Sequence, residues 1–393
     1  MSGQKALEGI RVLDVTQVMA GPFCAMQLSD MGADVIKVEP PEGDSTRRMA
    51  GATIDDSPAF NAVNRGKRGI VLDLKKAPAR DALRRLAATA DIFIENSRPG
   101  TLARLGLDYA TLAPDCPRLV YASISGYGQT GPDASKGGFD LIAQGVSGLM
   151  SVTGEPGGAP TKVGVPLTDL GAGLFALAAI LAALHYRDRT GRGQYVDTSL
   201  VEAGLALSVW ESAQYFADGT EPRAMGSAHR MLAPYQAIRC ADGYITVGAG
   251  TDRLFQRLAA LLQHPEWPTL PAFANETARV ANREALAREI EAVTSQQPRA
   301  HWIGRLDGAG IPCGPINAYS EALSDPHLHA RDMIVDVDHP TRGRVKTLGS
   351  PIKMSATPMT IGRGAPRLGE HTREVLAEAG LSDAEIEAAC QVS

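Results

Sequence analysis

Residues 10–39 read IRVLDVTQVMAGPFCAMQLSDMGADVIKVE, and this stretch decides the fold class. Residues 10–15 form an apolar run of strand length, residues 21–31 predict a helix with Pro22 in its first turn, and residues 34–39 again resemble a strand. A strand, a helix and a second strand in so short a segment are typical of a parallel sheet covered by helices. The stretch therefore predicts an α/β fold.

The same pattern continues through the first 200 residues, with further strands predicted at residues 69–74, 91–95 and 119–125 and a helix at 79–90. Ligands of such sheets bind beyond the carboxyl ends of the strands. Polar residues and glycines follow three of these strands: Gln17 and Met19, Asn96 and Arg98, Gly126 and Gly128. We expect a binding site at this edge.

From about residue 200 the pattern changes. Residues 201–216 predict one long helix. A smaller mixed unit is then predicted over residues 233–317, with a hairpin at 235–247 and helices at 253–262, 282–294 and 299–308. Residues 321–358 show no clear periodicity, so we expect an irregular, polar segment that returns to the first domain.

Composition excludes several classes of function. The 39 basic and 44 acidic residues give a net charge of −5 with no basic stripe, which argues against a nucleic-acid or membrane partner. The five cysteines are far apart and odd in number, which argues against zinc and disulfides. Because no apolar segment follows Met1, we expect a cytoplasmic protein.

One carboxylate stands in an apolar, glycine-rich junction. The sequence VPLTDLGAG at residues 165–173 contains Asp169 and precedes the apolar run 174–184, which predicts a core helix because a membrane span needs about 18 residues or more. A helix N-terminus stabilises a carboxylate anion, the form required for nucleophilic catalysis. From this pattern alone, Asp169 could equally be a helix-capping residue.

Other catalytic motifs are weak or missing. Gly171, Gly173 and Ala176 fit a loose dinucleotide fingerprint, which leaves a nucleotide-dependent oxidoreductase as an alternative, although no acidic residue ends a clear strand about 20 positions later. The sequence has no phosphate-binding loop, no nucleophile elbow and no metal-like histidine spacing. A carboxylate is therefore the best candidate nucleophile.

Several longer motifs resemble those of the class III CoA-transferases, a family that includes formyl-CoA:oxalate and carnitine CoA-transferases and 2-methylacyl-CoA racemases. They are LDVTQVMAGP at 13–22, GADVIKVE at 32–39, residues 64–75, ENSRPG at 95–100, SISGYGQTGP at 123–132, the Asp169 junction, TGRGQ at 190–194 and GIPCGP at 310–315. The resemblance runs nearly from end to end.

The resemblance implies an architecture. A large Rossmann-like, CoA-binding domain would comprise residues 1–200 and 325–393. A linker helix over 201–225 would lead to a smaller α+β domain over 226–324. Two such chains would form an interlocked homodimer.

The resemblance also implies roles for residues. Asp169 would be the nucleophile, forming first a mixed anhydride and then an aspartyl-CoA thioester. The CoA contacts would be Met19, Ala20, Leu72, Lys75, Asn96, Arg98, Arg104, Lys136 and Gly137, and the substrate contacts would be Gln17, Gly226 and His229. CoA would be a substrate, with no tightly bound cofactor and no metal. On residue type alone, Asn96 could be a turn residue, Lys75 and Arg104 solvated charges, and His229 an ordinary loop residue.

Departures from family patterns narrow the chemistry. Racemase relatives carry histidine directly before the aspartate that here is Asp140, whereas this chain has Phe139, which cannot transfer a proton. Oxalate-using relatives carry glutamine at Met19 and a glycine run at residues 226–229. The resemblance therefore favours transfer of CoA from succinyl-CoA to a small carboxylic acid such as a dicarboxylate. A formyl-CoA:oxalate-type transferase and, more remotely, a racemase are the alternatives.

Overall fold

The computed structural model of the protein describes residues 5–391. These residues form two compact units. The first comprises the described residues up to Leu149, Lys162–Gly219 and those from Pro326 onward; the second comprises Met150–Thr161 and Thr220–Asp325.

The elements alternate in the first half of the chain. The strands are β1 Arg11–Asp14, β2 Asp34–Glu39, β3 Arg68–Val71, β4 Ile92–Glu95, β5 Val120–Ser125, β6 Tyr195–Ser199, β7 Tyr235–Cys240, β8 Gly243–Gly248, β9 Cys313–Pro315, β10 Ile334–His339 and β11 Gly343–Leu348. The helices are α1 Ala20–Asp30, α2 Pro58–Asn64, α3 Ala77–Ala88, α4 Thr101–Leu105, α5 Tyr109–Leu112, α6 Asp140–Val146, α7 Leu149–Val152, α8 Leu167–Thr190, α9 Leu200–Ala206, α10 Val209–Asp218, α11 Asp252–Leu261, α12 Glu276–Ala281, α13 Arg283–Thr294, α14 Arg299–Gly308, α15 Tyr319–Ala322, α16 Pro326–Ala330, α17 Thr372–Glu378 and α18 Asp383–Cys390.

A six-stranded parallel sheet in the order β3-β2-β1-β4-β5-β6 organises the first unit. The predicted α/β class with a parallel sheet is confirmed. The edge strand β6 was not predicted, because its alternating sequence YVDTS lacks the continuous apolar character of the buried strands. The direction of winding reverses between β1 and β4, the place where such sheets open a crevice for ligands.

Both faces of the sheet are covered. Strand residues on one face pack with α1, α8 and α9, as Val12 and Ile124 do. Strand residues on the other face pack with α3, α17 and α18, as Leu13 and Phe93 do. Neighbouring residues of β1 therefore enter opposite cores, which is the alternation that a doubly covered strand requires.

Helix α8 is longer than its apolar run predicted. It has 24 residues and is long and apolar enough to span a membrane by composition, although half of its most apolar segment is buried within the protein. The predicted core helix is therefore present, but its length alone does not distinguish it from a membrane span. What places α8 in the core is its packing against α1 and α9, where Ala176 and Ile180 are fully buried.

Two expectations for the second half of the chain were wrong. Residues 201–225 do not form one linker helix, because the chain breaks at Ser208, whose φ and ψ of −89° and 49° are not helical, and separate helices α9 and α10 result. Residues 321–358 are not irregular: they contain α15, α16 and an antiparallel hairpin of β10 and β11. The alternation of Val335, Asp336 and Val337 was a readable strand pattern.

The second unit has a sheet in the order β7-β8-β9, with antiparallel pairing throughout. The predicted hairpin is present, with Ala241 and Asp242 in the turn between the paired residues Cys240 and Gly243. Helices α11, α13 and α14 supply Phe255, Ile290 and Trp302 to one apolar core with this sheet. The three helices correspond closely to the predicted ones, since their apolar faces follow the helical period.

Candidate active site

A cavity of about 400 Å³ opens at the carboxyl ends of β1, β4 and β5 in the first unit. The segment after β1 contributes Gln17, Val18 and Met19, and the segment after β4 contributes Asn96 and Arg98. This is the edge at which the strand order reverses, so the cavity occupies the crevice expected of the sheet. Its volume is within the range of small-molecule sites, about 300–1,000 Å³.

Asp169 lines this cavity from the first turn of α8. Among the described residues, no hydrogen bond reaches its carboxylate, which leaves both oxygens available to a ligand. Burial, followed by repulsion from Asp140, raises the pKa of Asp169 to about 6. A carboxyl group with that pKa is about nine-tenths ionised at pH 7. The group is thus a poorly solvated anion, which is the reactive form of a carboxylate nucleophile.

Asp140 caps the start of α8. Its Oδ1 accepts hydrogen bonds from Thr168 N at 3.0 Å and Thr168 Oγ1 at 2.8 Å, and its Oδ2 accepts from Gln144 Nε2 at 2.8 Å. Gln144 Oε1 in turn accepts from Val163 N at 2.8 Å. Asp140, 28 residues earlier in the chain, therefore pairs with a backbone N–H in the first turn of α8, where the N-cap residue Pro166 provides no side-chain cap.

Asn96 holds the backbone of Gln17. Gln17 N donates to Asn96 Oδ1 at 2.9 Å, and Asn96 Nδ2 donates to Gln17 O at 2.8 Å. The amide of Asn96 is therefore engaged with the protein itself, and not with its own turn. The exposed side chain of Gln17 remains at the cavity.

Helices and glycines bring backbone close to the cavity. A Cβ added at Gly173 would lie 2.7 Å from Ala20 O, so α8 and the start of α1 touch through this glycine. A Cβ added at Gly126 would lie 2.6 Å from Gly138 Cα, so these two cavity residues also pack backbone to backbone. Only glycine permits such approaches.

Two arginines lie in the segment that follows β4, and one of them lines the cavity. Arg98 is exposed, lines the cavity and lies beside Gly137, where an added Cβ would be 3.4 Å from the Arg98 Nη2 atom. Arg98 precedes helix α4. Within this helix the exposed side chain of Arg104 donates to Thr101 Oγ1 at 3.2 Å. Guanidinium groups in this position suit the phosphates of a nucleotide.

Comparisons with known proteins decide the family. A sequence model of CoA-transferase family III matches residues 7–372. The chain belongs to CoA-transferase family III. It is 39% identical to the succinyl-CoA:glutarate CoA-transferase of Mus musculus, an alignment that covers 95% of this chain and 86% of the mouse protein. It is 41% identical to the succinyl-CoA:mesaconate CoA-transferase of Haloarcula hispanica, over 96% and 97% of the two chains.

A solved structure agrees. The crystal structure of a CAIB/BAIF family protein from Brucella suis superposes with a TM-score of 0.85 at 39% identity, covering 96% of this chain and all of the other. The resemblance to class III CoA-transferases is thereby confirmed, and so is the expectation that the protein is a CoA-transferase. CoA is the substrate that defines the family.

The structure gathers about half of the predicted site residues of this CoA-transferase. Those that line the cavity are Gln17, Met19, Ala20, Asn96, Arg98 and Asp169. Gly137 adjoins Arg98, and Arg104 lies outside the cavity lining but donates to Thr101, which is part of it. Lys136 is exposed and paired with Asp133 at 2.8 Å, and Lys75 is exposed after β3.

Leu72 does not reach the cavity. It is 1% exposed and packs in the core with α3. Gly226 and His229 belong to the second unit, where Gly226 N donates to Gly154 O at 2.8 Å and His229 N donates to Tyr235 O at 2.9 Å. The roles of all three remain predictions.

Gly126, which the sequence placed at the binding edge, lines the cavity, whereas several other cavity residues were not predicted: Val18, Ser97, Thr101, Gly138, Phe139 and Leu200. Phe139 was noticed in the sequence only as the replacement of a racemase histidine, and its side chain is 71% exposed at the cavity. Within residues 5–391, no three His, Cys, Asp or Glu side chains are grouped to hold a metal ion.

Proposed function

We propose that this protein transfers CoA from succinyl-CoA to a small dicarboxylate, with Asp169 as the nucleophile. The observation that carries the proposal is the Asp169 carboxylate, which lies in the ligand crevice of the sheet without a hydrogen-bond partner among the described residues. The substrates follow from the two relatives above, whose names specify succinyl-CoA with glutarate or mesaconate.

The first half-reaction consumes the donor. The Asp169 carboxylate attacks the thioester carbonyl of succinyl-CoA, the C–S bond breaks, and a mixed anhydride and CoA thiolate form. The thiolate then attacks the aspartyl carbonyl of the anhydride, which releases succinate and leaves an aspartyl-CoA thioester. Two easier steps thereby replace one difficult exchange.

The second half-reaction repeats the exchange. The carboxylate of the acceptor attacks the aspartyl-CoA carbonyl, CoA thiolate leaves, and a new anhydride forms. The thiolate attacks the acceptor's carbonyl and restores the Asp169 carboxylate. Each tetrahedral intermediate carries an oxyanion, which N–H groups in the first turn of α1, whose N-cap Met19 provides no side-chain cap, are suited to stabilise.

The cavity suits anionic substrates. Arg98 supplies a guanidinium, and α1 begins at the cavity with Met19 as its N-cap and no side-chain cap. The N–H groups of such a helix end attract carboxylates and phosphates. In this proposal Arg98, Arg104 and Lys75 contact the CoA phosphates, and Lys136 lies beside the thioester arm of CoA. Gln17, Gly226 and His229 contact the acyl groups.

We propose further that the protein works as an interlocked homodimer whose large domain is CoA-binding. Helix α10 has no buried residue, and its apolar residues Val209, Trp210 and Phe216 are 66%, 61% and 83% exposed. An amphipathic helix gains its stability from packing, and so large an apolar surface is typical of an interface. Leu205 on α9 and Leu141 on α6 are also exposed, at 56% and 52%.

The acceptor test is a panel of acids read by mass spectrometry. We expect succinyl-CoA with glutarate, mesaconate or malate to yield the acceptor's CoA thioester, and formyl-CoA with oxalate to yield much less. Hydrolysis of the donor without transfer would contradict the proposal. Deuterium entering the α-carbon of a 2-methylacyl-CoA without an acceptor would instead indicate a racemase.

The dimer test uses tagged and untagged protein. Sedimentation should give a dimer, and mixed dimers should appear only after unfolding and refolding, because interlocked chains cannot separate while folded. A monomer, or exchange of subunits under native conditions, would contradict the interlocked arrangement.

A further inference from the structure

The loop between β1 and α1, residues 15–19, has an unusual backbone. Val18 adopts a φ of +71°, in the left-handed region. That region is unfavourable for a β-branched residue, and such conformations persist only where surrounding contacts impose them. Because Gln17, Val18 and Met19 all line the cavity, the unusual residue stands at the reacting edge.

Asp44 is the group that holds Val18. The N–H of Val18 donates to both carboxylate oxygens, at 3.4 Å to Oδ1 and 3.2 Å to Oδ2. Asp44 is 1% exposed and does not line the cavity. It therefore acts from beneath the loop rather than on a ligand.

Lys37 holds Asp44 in turn. Its Nζ lies 3.0 Å from Asp44 Oδ2, with both side chains fully buried, and it also donates to Thr16 O at 2.6 Å. Burial opposes ionisation of Asp44, but the Lys37 ammonium and hydrogen bonds from Thr46 outweigh it and lower the pKa of that carboxyl. One buried ion pair thus contacts the loop at two points.

A second buried pair joins the same arrangement. Lys67 Nζ lies 2.8 Å from Asp14 Oδ2 and donates to Pro22 O at 2.9 Å. Asp14 Oδ1 accepts from Thr16 N at 3.1 Å. Buried ion pairs contribute little net stability, because the desolvation cost offsets their attraction. Their placement around one short loop therefore points to a requirement for its shape.

We infer that Asp44, held by Lys37, is a positioning residue that keeps Val18 left-handed, so that the Gln17–Met19 backbone and the first turn of α1 face the acyl-CoA. The inference deepens the proposed function and rests on it for the identity of the ligand. It predicts that Asp44 matters to binding through Val18, and that the dependence weakens when residue 18 favours a positive φ without help.

The experiment is a double-mutant cycle between Asp44→Ala and Val18→Gly. The readouts are the affinity for free CoA by calorimetry, hydrogen exchange of the peptide that contains residues 15–23, and Tm. Asp44→Ala should weaken CoA binding roughly tenfold and speed exchange in this peptide, as expected for coupled neighbouring residues. Adding Val18→Gly should recover most of that loss without raising Tm, because glycine adopts a positive φ freely.

A control and a milder variant protect the test. Asp30→Ala removes the carboxylate of another buried ion pair of the same unit, Arg65–Asp30 at 2.6 Å, which has no contact with the loop, and should lower Tm while leaving CoA affinity unchanged. If Asp44→Ala fails to fold, Asp44→Asn retains one acceptor oxygen and should show a smaller loss with the same rescue.

Two results overturn the inference: CoA affinity that follows Tm equally in the Asp44 and Asp30 variants, or no rescue by Val18→Gly. Both are read from binding and exchange, without turnover. Failure of the proposed function would appear separately, as wild-type protein that binds CoA but transfers it to no acid.

Discussion

Asp140 accepts hydrogen bonds from both the N–H and the hydroxyl of Thr168, at 3.0 and 2.8 Å. Thr168 is the residue directly before Asp169 in the chain. The same carboxylate repels the charge of Asp169. One side chain thus fixes the backbone that carries Asp169, the proposed nucleophile, and adds to the effect of burial in raising the pKa of Asp169. These two effects can be separated experimentally.

Asp140→Asn should move the acid limb of the pH–rate profile to lower pH. Asparagine keeps an oxygen that can accept from Thr168, but it removes the negative charge that helps to raise the Asp169 pKa to about 6. The profile of kcat/KM against pH is the measurement. An acid limb that stays in place would mean that burial alone sets this pKa.

Asp169→Asn should stabilise the protein at neutral pH while abolishing transfer. The folded-state pKa of about 6 lies above the ordinary value of 3.8, so ionisation of Asp169 favours the unfolded state as the pH rises through 6. The variant should gain about 3 kcal/mol in free energy of unfolding at pH 8 and little near pH 4. Denaturant titrations at both values measure this.

The matched control for that experiment is Asp115→Asn, because Asp115 is exposed and does not line the cavity. It should change stability little at either pH. An equal gain in both variants, or a gain of Asp169→Asn that persists at pH 4, would contradict the burial of an ionised Asp169.

Asn96→Ala should impair binding of acyl-CoA even if the amide touches no ligand. The substitution removes both hydrogen bonds to the Gln17 backbone, at 2.9 and 2.8 Å. Misplacement of a site backbone can reduce kcat/KM by roughly tenfold to a hundredfold. Asn96→Asp retains the acceptor for Gln17 N but sets a second acceptor oxygen against Gln17 O, so its loss should be at least as large as that of Asn96→Ala. An Asn96→Asp variant that binds acyl-CoA as well as the wild type would contradict the positioning role.

Gly173→Ala should destabilise the junction of α8 and α1. The added Cβ would approach Ala20 O to 2.7 Å, and a backbone atom cannot move aside as a flexible side chain does. We expect a loss of about 1–3 kcal/mol in free energy of unfolding and weaker CoA binding. Gly164→Ala is the control, because nothing lies within 4 Å of a Cβ there. Comparable losses at both glycines would argue against a specific close approach.

The fold was predictable where apolar strands and helical periods are long. The strand at residues 34–39 coincides with β2, and the helix at 299–308 coincides with α14. Strand β6 was not predicted, because an edge strand can alternate polar and apolar residues and lacks the continuous apolar run of the buried strands. The break between α9 and α10 at Ser208 could not be predicted from the sequence, because the residues around it contain no proline or glycine that would end a helix.

The site was predictable in part for a similar reason. Gln17, Asn96 and Arg98 follow strands directly, and parallel strands bring their carboxyl ends together. The left-handed Val18 could not be foreseen, because valine is among the residues least suited to a positive φ. The burial of Leu72 depends on packing between elements distant in sequence.

The most direct test of the account is mass spectrometry of the protein quenched during turnover with succinyl-CoA. We expect the peptide that contains Asp169 to carry CoA as a thioester on that residue, and Asp169→Asn to carry none and to transfer nothing. Turnover with an unmodified Asp169 peptide, or transfer by the variant, would contradict the central claim that this carboxylate accepts and donates CoA covalently.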